Sequence, residues 1–186
     1  MLTSKKPRFL TFISLMLVVF FCVISNVIAQ EKLTEKSQLI INGIGGIKVG
    51  MTIKQAEKAG GISLVIPRGY QANKDCYYVE PKKSPKGISF MVTEYKISRI
   101  DIWENKKMTT RKGAKLDDSE AKIKSLYPKQ IKVTPHKYNP QGHYLTFIPQ
   151  DSADKNYRIV FETDGKKVTR FRSGKLPEVE FVEGCA

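Results

Sequence analysis

The sequence is short of the residues from which most hydrolytic and metal sites are built. Its 186 residues hold two histidines, three cysteines and one tryptophan. No GxSxG elbow, HExxH pair or GxxxxGK[ST] loop occurs, so the signatures of serine hydrolases, zinc proteases and P-loop enzymes are missing. No CxxC spacing exists, which argues against a redox pair or a cysteine metal site. The glycines of Gly43-Ile44-Gly45-Gly46-Ile47-Lys48-Val49-Gly50 lack the GxGxxG spacing and read as a strand and tight turn. The acids Asp117-Asp118 stand at a predicted helix start, where capping accounts for them. A protein without catalytic residues, cofactor or resident metal is the expectation.

What is present begins with an export signal. Lys5, Lys6 and Arg8 precede an apolar run over residues 9–28 that ends in Val27-Ile28-Ala29. This order of charged, apolar and small residues predicts a secretory signal over 1–29, cleaved after Ala29. The rival reading is an uncleaved anchor, because the run approaches the roughly 20 residues that span a bilayer. Phe21 is too bulky to precede a lipid-attachment cysteine at Cys22. The expected address is periplasmic or extracellular, with no stable membrane anchor after cleavage.

Removal of 29 residues leaves 157, enough for one compact domain or two small halves sharing a core. It lowers the formal net charge from +14 by three, to +11. A positive balance favours anionic partners, such as acidic proteins or envelope polymers. The lysines are spread along the chain, so a solvated coat explains them equally, and no specific nucleic-acid site is indicated. Cys76 and Cys185 remain as an isolated pair. In an oxidising compartment such a pair is expected to form a disulfide, the alternative being a reactive thiol or metal ligand. The bond would close a loop of 110 residues, counting both cysteines, and contribute at most about 4–5 kcal/mol.

Residues 30–38 read as a polar, flexible leader. Thr52-Ile53-Lys54-Gln55 forms a capping box, and Ile53, Ala56 and Ala59 share the buried face of a helix ended by Gly60-Gly61. A second helix is expected with Asp117 as its cap, Glu120 returning the bond, and Pro128 as its stop. Ile88, Phe90 and Val92 alternate with Ser89, Met91 and Thr93, and a return strand runs from Ile97 to Trp103. Ile88, Phe90 and Arg99 recur at a constant offset as Ile159, Phe161 and Arg170, around a turn at Asp164-Gly165. Further strands are expected at 76–79, 130–134, 143–148 and 178–182. The order suggests an internal duplication, helix then antiparallel strands twice over, with a small insertion in the second half.

Ile47-Lys48-Val49-Gly50-Met51-Thr52, leading into a short helix and a strand meander, resembles the start of an SmpA/OmlA-type domain. Two such units in tandem resemble the beta-lactamase inhibitory protein fold. The chain also resembles a group of secreted bacterial proteins in Cys76-Tyr77-Tyr78-Val79, Pro135-His136-Lys137-Tyr138, Phe161-Glu162-Thr163-Asp164-Gly165 and Val182-Glu183-Gly184-Cys185. The resemblance implies an α+β fold of two tandem repeats, residues 39–106 and 107–186, with helices on one sheet face. It implies no activity. SmpA/OmlA members carry a lipid-attachment cysteine, which this chain lacks.

Two groups of side chains stand out. Arg99, Asp101, Trp103, Arg170 and Arg172, with Met91, fall on the sheet face opposite Ile100 and Phe171. If that face is open, Arg and Trp suit protein recognition, and a solvated face with cross-strand ion pairs is the alternative. His136, Tyr138, His143 and Tyr144 cluster around a turn at Pro140-Gly142. The two imidazoles could face each other and hold an anion or metal, although no third ligand lies nearby; ordinary hairpin residues are the alternative. The leading expectation is an exported module that binds a protein through the sheet face. A module for anionic envelope or extracellular polymers is the second, and a hydrolase with an unfamiliar site the third.

Overall fold

Alternating side chains build a sheet whose two faces differ in kind. The computed structural model describes residues 31–69 and 75–185. The expected signal segment, 1–29, lies outside them. In chain order the elements are β1 (Gln38–Ile40), β2 (Gly43–Ile44), β3 (Ile47–Lys48), α1 (Ile53–Gly60), β4 (Leu64–Val65), β5 (Cys76–Pro81), β6 (Ile88–Thr93) and β7 (Lys96–Ile102). Then follow β8 (Thr109–Thr110), α2 (Glu120–Leu126), β9 (Ile131–Pro135), β10 (His143–Phe147), β11 (Tyr157–Thr163) and β12 (Val168–Lys175). Single 3-10 turns lie at Ser152–Asp154 and Glu178–Glu180.

The fold is α+β. Eight strands form one antiparallel sheet in the order β4-β5-β6-β7-β12-β11-β10-β9, and a small mixed sheet runs β3-β2-β1-β8. One face of the large sheet carries Ile88, Phe90, Ile100, Ile102, Phe161 and Phe171, all at most 1% exposed. Leu39, Ile44 and Ile47 of the small sheet join them in one core, with Ala56 of α1 and Ile123 of α2. Both helices therefore lie on this side. Burying each large apolar side chain contributes about 1.5–3 kcal/mol, which fixes which face points inward.

Local chemistry sets the element ends. Thr52 accepts from the Gln55 amide at 3.3 Å, and Gln55 Oε1 accepts from the Thr52 amide at 2.9 Å, the expected capping box. At α2 the cap is Ser119, which accepts from the Lys122 amide at 3.2 Å. Asp117, expected in that role, sits outside the helix in the left-handed region at φ 68. Asp118 accepts from the Lys115 amide and pairs with Lys122 instead. The turn between β11 and β12 spans residues 164–167, and Asp164 Oδ1 accepts from the Lys166 and Lys167 amides. It is longer than the two-residue turn that Asp-Gly predicts.

Two further expectations change. Residues 31–38 are not a free leader: Leu33 is 5% exposed in the core, and its amide donates to the Gly60 carbonyl at 2.9 Å. The segment 178–182, expected to be a strand, is a 3-10 turn followed by extended chain. Cys76 and Cys185 are bonded, with Cα atoms 5.3 Å apart, which fits an oxidising compartment. Among the described residues no helix is long and apolar enough to cross a membrane.

Candidate functional site

The second face of the large sheet is polar, and the end of the chain is strapped across it. Period-two alternation places Tyr78, Met91, Arg99, Asp101, Tyr144, Glu162 and Arg172 on this side. After β12 the chain turns back, and residues 177–185 cross these strands to the disulfide on β5. Val179 is fully buried, packing with Tyr144 and Val160 in a small apolar cluster.

Two arginines grip the strap by its backbone. Arg99 donates from Nη1 to the carbonyls of Glu178, at 3.1 Å, and Phe181, at 2.6 Å. Its Nε donates to Asp101 Oδ2 at 2.8 Å and its Nη2 to the Tyr78 hydroxyl at 2.9 Å. Arg172 donates from Nε to the Val179 carbonyl at 2.7 Å and from Nη1 to Glu162 Oε1. Burial works against the charge on Arg99, yet the adjacent Asp101 carboxylate, together with Tyr78 and Glu162, outweighs it and raises its pKa. Glu178 reaches back to the sheet: its Oε1 accepts from Thr93 at 2.9 Å and pairs with Lys175 at 3.0 Å.

The expected recognition residues therefore divide. Arg99, Asp101 and Arg172 are 4%, 7% and 2% exposed, so this part of the face is covered. Its cause is the strap, which satisfies both arginines from above. Arg170 is exposed, and Trp103 is half-buried. They line two adjoining grooves beside the strap, together with Val182. One groove continues over Tyr78, Glu80 and Ser89, and the other over His136, Tyr138 and Glu162. Arg170 Nε stands 3.5 Å from Glu162 Oε2, within ion-pair range but in poor hydrogen-bonding geometry.

The aromatic cluster divides as well. His136 stacks on Tyr144 with ring centroids 4.5 Å apart. Its Nδ1 accepts the amides of Tyr138 and Asn139, so the neutral ring carries its proton on Nε2, which faces Glu162 at 3.7 Å. The Tyr138 hydroxyl donates to Glu183 on the strap, and Lys137 pairs with the same carboxylate at 2.6 Å. His143 points the other way. Its Nδ1 meets Glu120 of α2 at 2.8 Å, beside Thr163, whose hydroxyl donates to Glu120 at 2.6 Å. The imidazoles do not face each other, because His143 and Tyr144 are consecutive on one strand and must take opposite faces. Among the described residues no group of three His, Cys, Asp or Glu side chains is placed to hold a metal. Nothing in the sequence marks Glu162 or Glu178 as a partner of these arginines, and the strap is signalled only by the terminal Glu183-Gly184-Cys185.

No family model and no curated protein matches the sequence. Among solved structures, the chain is similar to the crystal structure of the uncharacterized protein yfeY from Escherichia coli. That match covers 74% of this chain and 99% of the other, at 13% identity and a TM-score of 0.48.

Proposed function

We propose that the protein is an exported, non-enzymatic binding module that recognises a protein partner at the grooves beside its C-terminal strap. The observation that carries this reading is the difference between Arg170 and its neighbours. Arg99 and Arg172 are consumed in holding the strap, whereas Arg170 stays exposed with Trp103 beside it. Arg, Trp and Tyr set in a groove are the residue types that dominate binding energy at protein interfaces. Tyr138 extends the same wall.

We also infer that the sheet comprises two related units, α1-β4-β5-β6-β7 and α2-β9-β10-β11-β12. In support, the sheet order is the same read inward from either edge, each unit meeting the other at β7 and β12. Arg99 and Arg170, equivalent in the repeat, then have different tasks, one buried and structural and one exposed to a partner. The export signal expected over residues 1–29 and the oxidised cysteine pair support a periplasmic or extracellular address.

Capture from an envelope extract tests the reading, with the variants deciding it. A partner retained by the native protein at high salt and lost by Trp103→Ala and Arg170→Ala supports it. Each substitution is expected to cost about 2 kcal/mol of binding. A second reading, a basic module for anionic polymers, is favoured by the net charge of +11 that remains without residues 1–29. Binding that collapses with salt and ignores both substitutions would favour that reading instead.

A further inference from the structure

A separate cavity lies on the core side of the large sheet, at its junction with the small sheet, away from the strap. We propose that it is a binding site for a long-chain carboxylate, a single-chain fatty acid. Its floor is hydrocarbon. Leu39, Tyr127 and Ile159 are at most 4% exposed, and the half-buried Phe147 ring lies 4.9 Å from that of Tyr127. The Tyr127 hydroxyl donates to Thr110 Oγ1 at 2.7 Å, so its polar end is satisfied and the ring is left as an apolar surface. The cavity measures 470 Å³, within the range of about 300–1,000 Å³ that small-molecule sites occupy.

The mouth carries the complementary charge. Arg111 and Lys112 are exposed, and neither lies in an ion pair among the described residues. Lys112 Nζ stands 5.1 Å above the Tyr127 ring, directly over the apolar floor. An alkyl chain laid on Leu39, Phe147 and Ile159 would bring its carboxylate to these two cations. Asp151 and the half-buried Asp154 also line the cavity, so two acids stand against the two cations. Asp151 is already engaged, accepting from the Ala153 amide at 2.9 Å to cap a 3-10 turn. The strongly positive molecule reinforces the choice of an anion over a cation. This site is separate from the strap grooves, so its fate and that of the protein-binding reading are independent.

Calorimetric titration of the purified protein with dodecanoate, below its micelle concentration, tests the proposal. Saturable one-site binding is expected, with Tyr127 and Phe147 ring resonances shifting in parallel. Acetate, which lacks the chain, should not bind. Arg111→Gln with Lys112→Gln, both exposed positions, should weaken dodecanoate at least about tenfold by removing charge-assisted hydrogen bonds. Absence of saturable binding would overturn the proposal, as would undiminished affinity in the double variant. Dodecyltrimethylammonium binding as tightly as dodecanoate would overturn the assignment of an anionic head group.

Discussion

At the scale of single residues, the polar face is decided by where two guanidinium groups find their acceptors. Arg172 is 2% exposed, and its partners are the Glu162 carboxylate and the Val179 carbonyl. Losing one member of a buried pair strands the other charge, which costs more than the pair contributes. Arg172→Met is therefore expected to destabilise the fold by about 3 kcal/mol in urea unfolding. Adding Glu162→Leu should recover a large part of that loss, because no unpaired charge is then buried. A double variant as unstable as the single one would contradict this account. Alternation along the strands made the facing of Arg99, Asp101 and Arg172 legible in the sequence. Their burial was not, because the cover comes from residues 177–185, far along the chain from Arg99 and Asp101. His143 was misplaced for a simpler reason: proximity in a turn was read as proximity in space, against the period of the strand.

Among elements, helix α1 was fully legible, since its cap, buried face and stop are all local. Thr52→Ala should cost about 1 kcal/mol, measured by thermal or urea unfolding, because it removes the cap acceptor. The segment 178–182 was misread because its alternation of Glu, Val and Phe is that of a strand. Its carbonyls are claimed by Arg99 and Arg172 side chains rather than by a neighbouring strand, a long-range choice that no local pattern encodes. The strap is held in two ways. Residues 177–181 are fixed by both arginines and by Val179, whereas 182–185 depend on the disulfide and on exposed contacts of Glu183. Reduction should thus free the outer half first. The protein has one tryptophan, and Trp103 lines the grooves beside Val182. Its emission should move to the red and its quenching by acrylamide should increase on reduction, with the far-ultraviolet dichroism unchanged. Trp103 fluorescence indifferent to reduction would show that Val182 and Gly184 stay seated without the bond.

For the whole molecule, charge and connectivity act together. The excess of 32 basic over 18 acidic residues means that acid removes the minority partners of a strained balance. Asp117, Glu120, Asp164 and Glu183 all titrate below their ordinary range in the folded protein. For Glu120, burial opposes ionisation, but hydrogen bonds from Thr163 and His143 outweigh it. The Lys137 ammonium does the same for Glu183 on the strap, and the Lys166 and Lys167 amides, Lys167 first, for Asp164. A carboxylate with a lowered folded pKa contributes its stability above the unfolded value. That contribution is lost as pH falls through the folded one. Stability should therefore decline from about pH 4.5 downward, steepened by repulsion among cations that have lost their counter-charges. Urea midpoints measured across this range should show the decline, and Glu120→Gln should flatten part of it. At the alkaline end, burial raises the pKa of Tyr127 and Tyr144. Such hydroxyls ionise more readily once unfolded, so stability should fall again as pH rises above about 10. Stability that increased on acidification would mean that the native carboxylates are not held by their partners.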